Sequence, residues 1–193
     1  RPGALERLTP PWTSARIVER TGGIEPGARV VLELPAGPFH VRWVAEHREL
    51  VRGRSFRDVQ VSGPFARWDH THSFSPQADG SSILEDRIVY DPPFGALGAL
   101  AGGPLVRGML ARMFGYRHRV TACDLAAHRR YSANPLRIAV SGASGLIGSA
   151  LVPFLTTGGH DVLRLVRSRE ATVTNRPETD PTAAPGTPVP WNP

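Results

Sequence analysis

The sequence predicts an α+β fold, a barrel in which a curved antiparallel sheet surrounds a long C-terminal helix, followed by the incomplete beginning of an α/β unit. Three observations lead to this prediction. Apolar and polar residues alternate up to about Asp91, an apolar stripe recurs at helical spacing over 105–127, and from Leu136 a strand, a glycine turn, a helix and a second strand follow. At 193 residues with 40% hydrophobic content, the chain can bury at least one core.

Period-two patterns predict the strands of the sheet. Two candidate strands carry apolar residues at every second position: Val30, Leu32 and Leu34 in the first, and Phe39, Val41, Trp43 and Ala45 in the second. Three more candidate strands follow at 54–61, 67–75 and 81–91, separated by turn sequences at Gly63-Pro64 and Ala78-Asp79-Gly80. An antiparallel meander is the simplest topology for these strands.

A long helix is predicted after the strands. Gly102-Gly103-Pro104 is expected to open it, because a proline in the first turn loses no hydrogen bond. The apolar stripe comprises Leu105, Met109, Met113, Tyr116, Val120, Cys123 and Ala127. A helix of about 25 residues, or about 37 Å, follows from this spacing. We expect its apolar face to pack on the sheet and to leave a cavity between helix and sheet.

The cavity is expected to be lined partly by the strand at 67–75, where Trp68, His70, His72 and Phe74 share one face. A His-x-His pair on a strand could chelate a transition metal with Asp58, Glu85 or His118. No second spaced ligand pair supports that possibility, so we favour a hydrogen-bonded polar lining around an amphipathic ligand and predict no metal. The candidate cavity residues are Trp43, Asp58, Gln60, Trp68, His70, His72, Tyr116 and His118. On the helix, Tyr116, Arg117 and His118 could equally cap barrel carbonyls or form a surface pair.

The sharpest local signal is the spacing G-x-x-G-x-x-G at Gly142, Gly145 and Gly148, between a predicted strand from Leu136 and a predicted helix. Glycine lets the backbone turn sharply and approach a pyrophosphate, whose charge then meets the free N–H groups of the helix. The alternative is an ordinary glycine-rich strand–helix corner. Gly158-Gly159 is expected to cap the helix, and 161–166 to form a second, parallel strand. Pro153 is expected to be tolerated only near the first helical turn.

Cofactor choice depends on the end of that second strand. An acidic residue there would bind the ribose 2′-OH of NAD, whereas arginine accommodates the 2′-phosphate of NADP. Arg167-Ser168 follows the strand, so the sequence favours NADP over NAD. The predicted cofactor-binding residues are Gly142, Ser144, Gly145, Leu146, Ile147, Gly148, Arg167 and Ser168.

Composition argues against several other functions. The net charge is +6, and all 23 basic residues are arginine. Residues 1–130 hold 18 arginines and 13 acidic residues, which are interleaved without a run of basic side chains. We therefore expect no nucleic-acid partner. No window approaches the roughly 18 apolar residues of a membrane span. Cys123 is the single cysteine and no metal-binding spacing of Cys and His occurs, so we expect a cytoplasmic protein.

Residues 1 to about 130 resemble the START-like or polyketide-cyclase-like (SRPBCC) helix-grip family, and more narrowly the barrel fused in front of certain bacterial epimerase-like oxidoreductases. The resembling segments are RPGALERLTPPW at 1–12, FRDVQV at 56–61 with Gly63-Pro64-Phe65, Met113-Phe114, and YRHR at 116–119. The resemblance implies a ligand-binding domain over 1–132 with its first strand missing.

Residues 136–169 resemble the opening of the atypical short-chain dehydrogenase/reductase family described as NAD(P)-dependent, epimerase-like oxidoreductases, which implies the first βαβ of a Rossmann domain. Trp191-Asn192-Pro193 is similar to that family's Trp-x-Pro. Between them, proline-rich 170–193 is expected to be largely disordered and truncated. The chain has no lysine, so the family's Tyr-x-x-x-Lys pair is absent and the catalytic residues stay unknown.

Together these patterns predict a parent protein that is an NADP-linked oxidoreductase or epimerase-like enzyme, with an N-terminal domain that binds an apolar small molecule. The chain itself is expected to lack the catalytic half. The alternative is a non-enzymatic lipid- or polyketide-binding module whose Rossmann part acts as a redox sensor or scaffold. Catalysis inside the barrel is disfavoured, because spacing alone places no nucleophile and base together.

Overall fold

The structure, a computed structural model, describes residues 1–131, 134–167 and 188–191. It divides into two compact units, one formed by Pro11–Met113 and the other by Arg1–Pro10 with Phe114–Pro193. The elements in chain order are α1 (Ala4–Leu8), β1 (Arg16–Thr21), β2 (Arg29–Ala36), β3 (Phe39–Val51), β4 (Ser55–Ser62), β5 (Arg67–Pro76), β6 (Ser82–Asp91), α2 (Gly95–Tyr131), β7 (Arg137–Ser141), α3 (Leu146–Gly158), β8 (Asp161–Arg167) and β9 (Pro188–Trp191). The predicted domain limits of 1–132 and 136–169 stay predictions.

The Pro11–Met113 unit contains a six-stranded sheet in which each strand pairs antiparallel with the next, from β1 to β6. The predicted meander is therefore confirmed, and each of the five predicted strands is present. Strand β1 was not predicted, because its sequence RIVERT has two adjacent apolar residues rather than an alternation and lies almost entirely exposed. The curved antiparallel sheet followed by the long helix α2 fits a helix-grip fold.

The two faces of the sheet differ in character. One face of β3–β6 collects aromatic and histidine side chains, as described below. The opposite face collects ion pairs, of which the best formed joins the Arg57 guanidinium to both carboxylate oxygens of Asp69 at 2.8 and 2.6 Å. Glu46 is buried on that face, and its Oε2 accepts a hydrogen bond from Arg29 Nε at 2.6 Å. The arginines predicted to be interleaved with acids thus pair across neighbouring strands.

Helix α2 corrects two predictions. It begins at Gly95, so the expected opening at Gly102-Gly103-Pro104 is wrong and Pro104 lies inside the helix. The residues between, ALGALA at 96–101, are rich in alanine and leucine, which are strong helix formers, and this propensity outweighs the proline signal. The second correction concerns the apolar stripe that was predicted to pack on the sheet, because two of its residues, Leu105 and Met109, are 77% and 54% exposed.

The buried face of α2 is rotated by about one residue from the predicted stripe. Leu110 and Phe114 are buried, while the predicted Cys123 is exposed and the neighbouring Asp124 is buried. Two apolar rows lie side by side on this helix, and the sequence pattern alone does not distinguish the buried row from the exposed one. No helix in the described part of the chain is long and apolar enough to cross a membrane.

The other unit contains a parallel sheet. Strands β7 and β8 run parallel with α3 between them in sequence, and β9 adds a third parallel strand to β8. Val140, Ala143 and fully buried Val162 form its core, against which Ile138, Val152 and Leu155 pack. The predicted succession of strand, turn, helix and parallel strand is confirmed at the level of secondary structure.

Within the segment 170–193, which is expected to be largely disordered, the structure describes Pro188–Trp191, and this strand β9 pairs with β8. The proline count suggested disorder, but a proline is compatible with an edge strand where its missing N–H is not needed. The residues 168–187 and 192–193 lie outside the described residues, and so does the remainder of that prediction.

The C-terminal end of α3 has a clear cause. The helix ends at Gly158, and Gly159 adopts φ +95°, where its N–H donates to the Leu155 and Thr156 carbonyls, which confirms the predicted glycine cap. Pro153, expected only near the first turn, lies buried in the middle of the helix. The small helix α1 approaches it closely: a Cβ built on Gly3 would stand 3.2 Å from the Pro153 Cα.

Candidate functional site

Two histidines and two aspartates converge on one face of the six-stranded sheet. His70 and His72 lie two residues apart on β5, so their side chains share a face. Asp58 of β4 is the register partner of His70, and Asp86 of β6 is the register partner of His72. We call these four residues the histidine–aspartate cluster. Their side chains are 4%, 11%, 16% and 7% exposed for His70, His72, Asp58 and Asp86.

Each imidazole in the cluster presents one nitrogen to each carboxylate. Asp86 Oδ1 lies 3.1 Å from His70 Nε2 and 2.6 Å from His72 Nδ1. Asp58 Oδ1 lies farther away, 3.7 Å from His70 Nδ1 and 3.4 Å from His72 Nε2. His70 hydrogen-bonds to Asp86, and both carboxylates are hydrogen-bond partners of His72, whereas the distance from His70 Nδ1 to Asp58 exceeds hydrogen-bond length.

The two histidines differ in their electrostatics. Burial lowers the pKa of His70 below its ordinary value, and the hydrogen bond to Asp86 only partly offsets this effect. Burial also acts to lower the pKa of His72, but the contacts with the Asp58 and Asp86 carboxylates outweigh it and raise that pKa. The cluster therefore places a weaker base and a stronger base next to each other, with ring centroids 3.9 Å apart.

An aromatic cluster of Trp43, Phe65, Trp68 and Tyr90 lies beside the histidines. The Trp43 and Trp68 rings meet edge to face at 5.0 Å, Phe65 lies 5.0 Å from Trp68, and Tyr90 lies 5.6 Å from Phe65. Trp68 is 6.3 Å from His70, so the aromatic and polar groups are continuous. The Nε1 of Trp43 is buried without a hydrogen-bond partner in the described residues.

The structure brings most of the predicted cavity residues together. Trp43, Asp58, Gln60, Trp68, His70 and His72 all lie on β3–β5 in this one unit. The amide nitrogen of Gln60 donates to the Phe65 carbonyl and its amide oxygen accepts from the Phe65 N–H, and its role in the cavity stays a prediction. Tyr116 and His118 belong to the other compact unit, so their role in the cavity stays a prediction, as does the cavity itself.

The ligand set suggested from the sequence is partly corrected. Asp58 joins the histidines as expected, but Glu85 is exposed and pairs with Ser73 on the opposite face of the sheet. Asp86 was missed. Its signal was present in the sequence, since a single acid between Leu84 and Ile88 occupies an otherwise apolar row of β6.

The glycine turn forms a second candidate site, in the unit with the parallel sheet. Gly142 adopts φ +64°, which favours glycine, and its carbonyl accepts from the Gly145 N–H at 2.9 Å. A Cβ on Gly148 would overlap the Gly142 carbonyl oxygen and stand 2.7 Å from the Ala143 Cα. Two of the three glycines are therefore required by the turn itself.

The remaining residues of the predicted cofactor set surround this turn or lie outside it. Ser144 is exposed, and Leu146 and Ile147, at the start of α3, are 94% and 78% exposed. Gly145 is the N-cap of α3 and has extended backbone. Arg167 is the last residue of β8, and Ser168 lies outside the described residues.

The chain is similar to several solved structures. A nucleoside-diphosphate sugar epimerase from Corynebacterium glutamicum is 32% identical with a TM-score of 0.65, over 84% of this chain and 34% of that protein. The chain thus spans about a third of that protein's length. TTHA0849 from Thermus thermophilus is 21% identical with a TM-score of 0.38, over 63% of this chain and 82% of that one. Ara h 8.0201 is 14% identical with a TM-score of 0.42, over 63% and 90%.

A search of curated proteins gives no match. A family model does match, over residues 1–114, which is more than half of the chain and includes the whole six-stranded sheet. Its description is polyketide cyclase / dehydrase and lipid transport. The chain belongs to the polyketide cyclase / dehydrase and lipid transport family.

Proposed function

We propose that the Pro11–Met113 unit binds an apolar or amphipathic small molecule against the face of β3–β6. The observation that carries this proposal is the continuity of the aromatic cluster with the histidine–aspartate cluster on one face. Small-molecule sites combine apolar and aromatic walls with a few polar groups that fix orientation. The family description, which names lipid transport, supports a ligand of this class.

The buried Trp43 Nε1 sharpens the proposal. An indole N–H without a partner loses hydrogen-bond energy when it leaves water, and a net cost of about 1–3 kcal/mol is typical. An acceptor oxygen on the ligand would satisfy this donor while its apolar part contacts Phe65 and Trp68. We therefore expect a ligand that carries a carbonyl, hydroxyl or carboxylate oxygen.

A fluorescent apolar probe, 1-anilinonaphthalene-8-sulfonate, tests this proposal on the full chain. Trp43→Phe keeps an aromatic ring and removes the N–H, and we expect it to weaken probe binding several-fold. Trp12→Phe is the matched control, because Trp12 is 48% exposed and stacks with Arg112. Near-ultraviolet circular dichroism verifies that both variants keep their tertiary packing. Absence of probe binding, or equal binding by the two variants, would refute the proposal.

We further propose that the parent protein is an NADP-linked oxidoreductase or epimerase-like enzyme. Two observations support this second function. The glycine turn has the backbone that a pyrophosphate site needs, with Gly148 allowing close approach of α3 to the Gly142 carbonyl. The epimerase from Corynebacterium glutamicum is 32% identical over 84% of this chain.

In this proposal, the residues of the glycine turn and the first N–H groups of α3 hold the pyrophosphate, and Arg167 with Ser168 receives the 2′-phosphate. The nicotinamide cofactor supplies hydride transfer when bound. The chain contributes binding and orientation: exposed Leu146 and Ile147 leave the start of α3 accessible. No Tyr-x-x-x-Lys pair exists in this sequence, so its own residues supply no acid or base of that kind.

Calorimetric titration of the 193-residue chain with NADPH and NADH tests this function. Leu146→Glu places a carboxylate at the helix N-terminus, where it stabilises the helix but repels a pyrophosphate, so we expect a folded variant with much weaker NADPH binding. Leu105→Glu, at an exposed position of α2, is the control. Arg167→Asp should shift preference toward NADH. Binding by neither nucleotide, or no effect of Leu146→Glu, would leave only the binding-module function.

A further inference from the structure

We propose that Asp58, His70 and His72 bind a divalent transition-metal ion. This inference goes beyond the ligand binding proposed above and does not depend on it. One ligand atom from each of the three residues lies within 4.8 Å of the others, and the three side chains are buried or nearly so. The donors come from the facing strands β4 and β5, whose pairing fixes their separation.

The two separations between Asp58 and the histidines are close to those of donors that share one ion. Asp58 Oδ1 lies 3.4 Å from His72 Nε2, a long hydrogen-bond contact, and 3.7 Å from His70 Nδ1, which is beyond hydrogen-bond length. Two donors bound to one ion at about 2.0–2.1 Å in tetrahedral geometry stand about 3.4 Å apart. The two Asp58 separations are close to this value, and all three donor atoms lie within 4.8 Å of one another.

Asp86 completes the arrangement as an outer partner. It lies 3.1 Å from His70 Nε2 and 2.6 Å from His72 Nδ1, which are the nitrogens turned away from Asp58. Metal-binding histidines commonly donate their second N–H to a carboxylate, which fixes the tautomer and the ring orientation. Because Asp86 accepts the N–H groups of His70 Nε2 and His72 Nδ1, the other two nitrogens, His70 Nδ1 and His72 Nε2, keep the lone pairs that can bind an ion. The stack of Phe56 on His72, with centroids 4.0 Å apart, restrains one of the two rings further.

The donor set indicates which ions fit. Imidazole and carboxylate suit Zn²⁺, Fe²⁺ and Co²⁺, while Mg²⁺ and Ca²⁺ prefer oxygen donors alone. Two histidines and one carboxylate leave coordination positions open. An ion at this place would stand next to the aromatic cluster and could bind an oxygen of the small molecule proposed above.

Titration of the tag-free chain with Co²⁺ alone tests the site, because the visible absorption of this ion reports its coordination. We expect one ion per chain, displaced by Zn²⁺ and not by Mg²⁺. Asp58→Asn and His72→Gln should each weaken binding more than about 100-fold, and Asp86→Asn by about 10–100-fold as an outer partner. Glu85→Gln, on the opposite face of the sheet, is the matched control and should bind as the unaltered chain does.

Thermal unfolding separates loss of the site from loss of the fold. Co²⁺ should raise the midpoint of the unaltered chain and of Glu85→Gln, since it binds the folded state only, and should not raise that of folded Asp58→Asn. If His72→Gln does not fold, the isosteric Asp58→Asn decides the question. No Co²⁺ binding to the unaltered chain, or equal binding by Asp58→Asn and Glu85→Gln, would overturn the proposal while leaving probe binding at the aromatic cluster untouched.

Discussion

Arg7 and Asp124 form a bidentate ion pair in which Nε lies 2.6 Å from Oδ2 and Nη2 lies 2.8 Å from Oδ1. The pair joins the short helix α1 to the later part of α2, more than one hundred residues away in sequence. Asp124 is buried and raises the pKa of Arg7 through this hydrogen bond. This ion pair connects the N-terminal ten residues to α2 within the compact unit that contains the parallel sheet.

Replacement of Arg7 by Gln should destabilise that unit by about 2 kcal/mol, because Asp124 keeps its burial and loses both charge-assisted hydrogen bonds. The loss also removes the stacking of the guanidinium on Phe154, 5.4 Å from the ring centre. Urea denaturation followed by circular dichroism measures the effect. Arg129→Gln, at an exposed position of α2, should change stability by less than about 0.5 kcal/mol. Equal effects of the two substitutions would contradict the assignment.

Arg57 pairs with two carboxylates on the face of the six-stranded sheet that carries the ion pairs. It bonds Asp69 twice and Glu49 once at 2.6 Å, although its side chain is 33% exposed. After allowance for solvent screening, Arg57→Gln should cost about 1 kcal/mol. Arg67→Gln is the comparison, since Arg67 only approaches Asp69 at 3.8 Å and is 58% exposed. Arg67→Gln should leave the free energy of unfolding almost unchanged. High salt should reduce the difference in free energy of unfolding between the two variants.

His128 should make stability depend on pH. Burial lowers its pKa, its neighbours His160, Arg1 and Arg7 lower it further, and only Asp124 acts in the other direction. The folded chain therefore holds a neutral imidazole where the unfolded chain takes up a proton. It follows that the free energy of unfolding declines as the pH falls below the ordinary histidine pKa of about 6.5 and is unaffected by this group above it.

His128→Phe checks this dependence. The substitution keeps the stacking on Phe154, where the rings lie 4.6 Å apart. It removes both the titration and the buried Nε2, which has no hydrogen-bond partner in the part of the chain that the structure describes. Urea denaturation at pH 7.5 and pH 5.5 should show a smaller pH dependence than in the unaltered chain. His40→Phe, at an exposed position of β3, should leave that dependence as it is. A His128→Phe variant with unchanged pH dependence would exclude this role.

Two glycine-to-alanine substitutions should act with opposite signs. Gly148→Ala forces a Cβ onto the Gly142 carbonyl oxygen, a backbone atom that cannot turn aside, and should destabilise the chain by about 1–3 kcal/mol. Gly108→Ala meets nothing within 4 Å on α2 and should stabilise it by about 0.5–1 kcal/mol. Thermal unfolding measures both. A stable Gly148→Ala variant would show that the turn tolerates a side chain.

Sequence patterns predicted the sheet well because its strands are half-buried. The alternation of Trp68, His70 and His72 with polar residues is a direct consequence of one buried face. The position of α2 was harder to predict. Its apolar rows are adjacent, and which of them becomes buried depends on tertiary packing that periodicity does not contain.

Much of the histidine–aspartate cluster was within reach of the sequence. The turn predicted at Ala78-Asp79-Gly80 is centred on Asp79, and strands folded about that point pair positions at equal distances from it. His72 and Asp86 each stand seven residues away, and the structure pairs them. Asp58 and His70 each stand six residues from Pro64, in the turn predicted at Gly63-Pro64, and the structure pairs them as well.

The two prolines of β9 limit hydrogen bonding at one edge of the parallel sheet. Successive residues of a strand direct their N–H groups to opposite edges, so Pro188 and Pro190 remove donors from the same edge, while β9 stays paired with β8. That edge of the four-residue strand therefore offers no N–H donor to an incoming strand. Strand β7, at the other end of the order, carries no proline and keeps its N–H donors on its open edge.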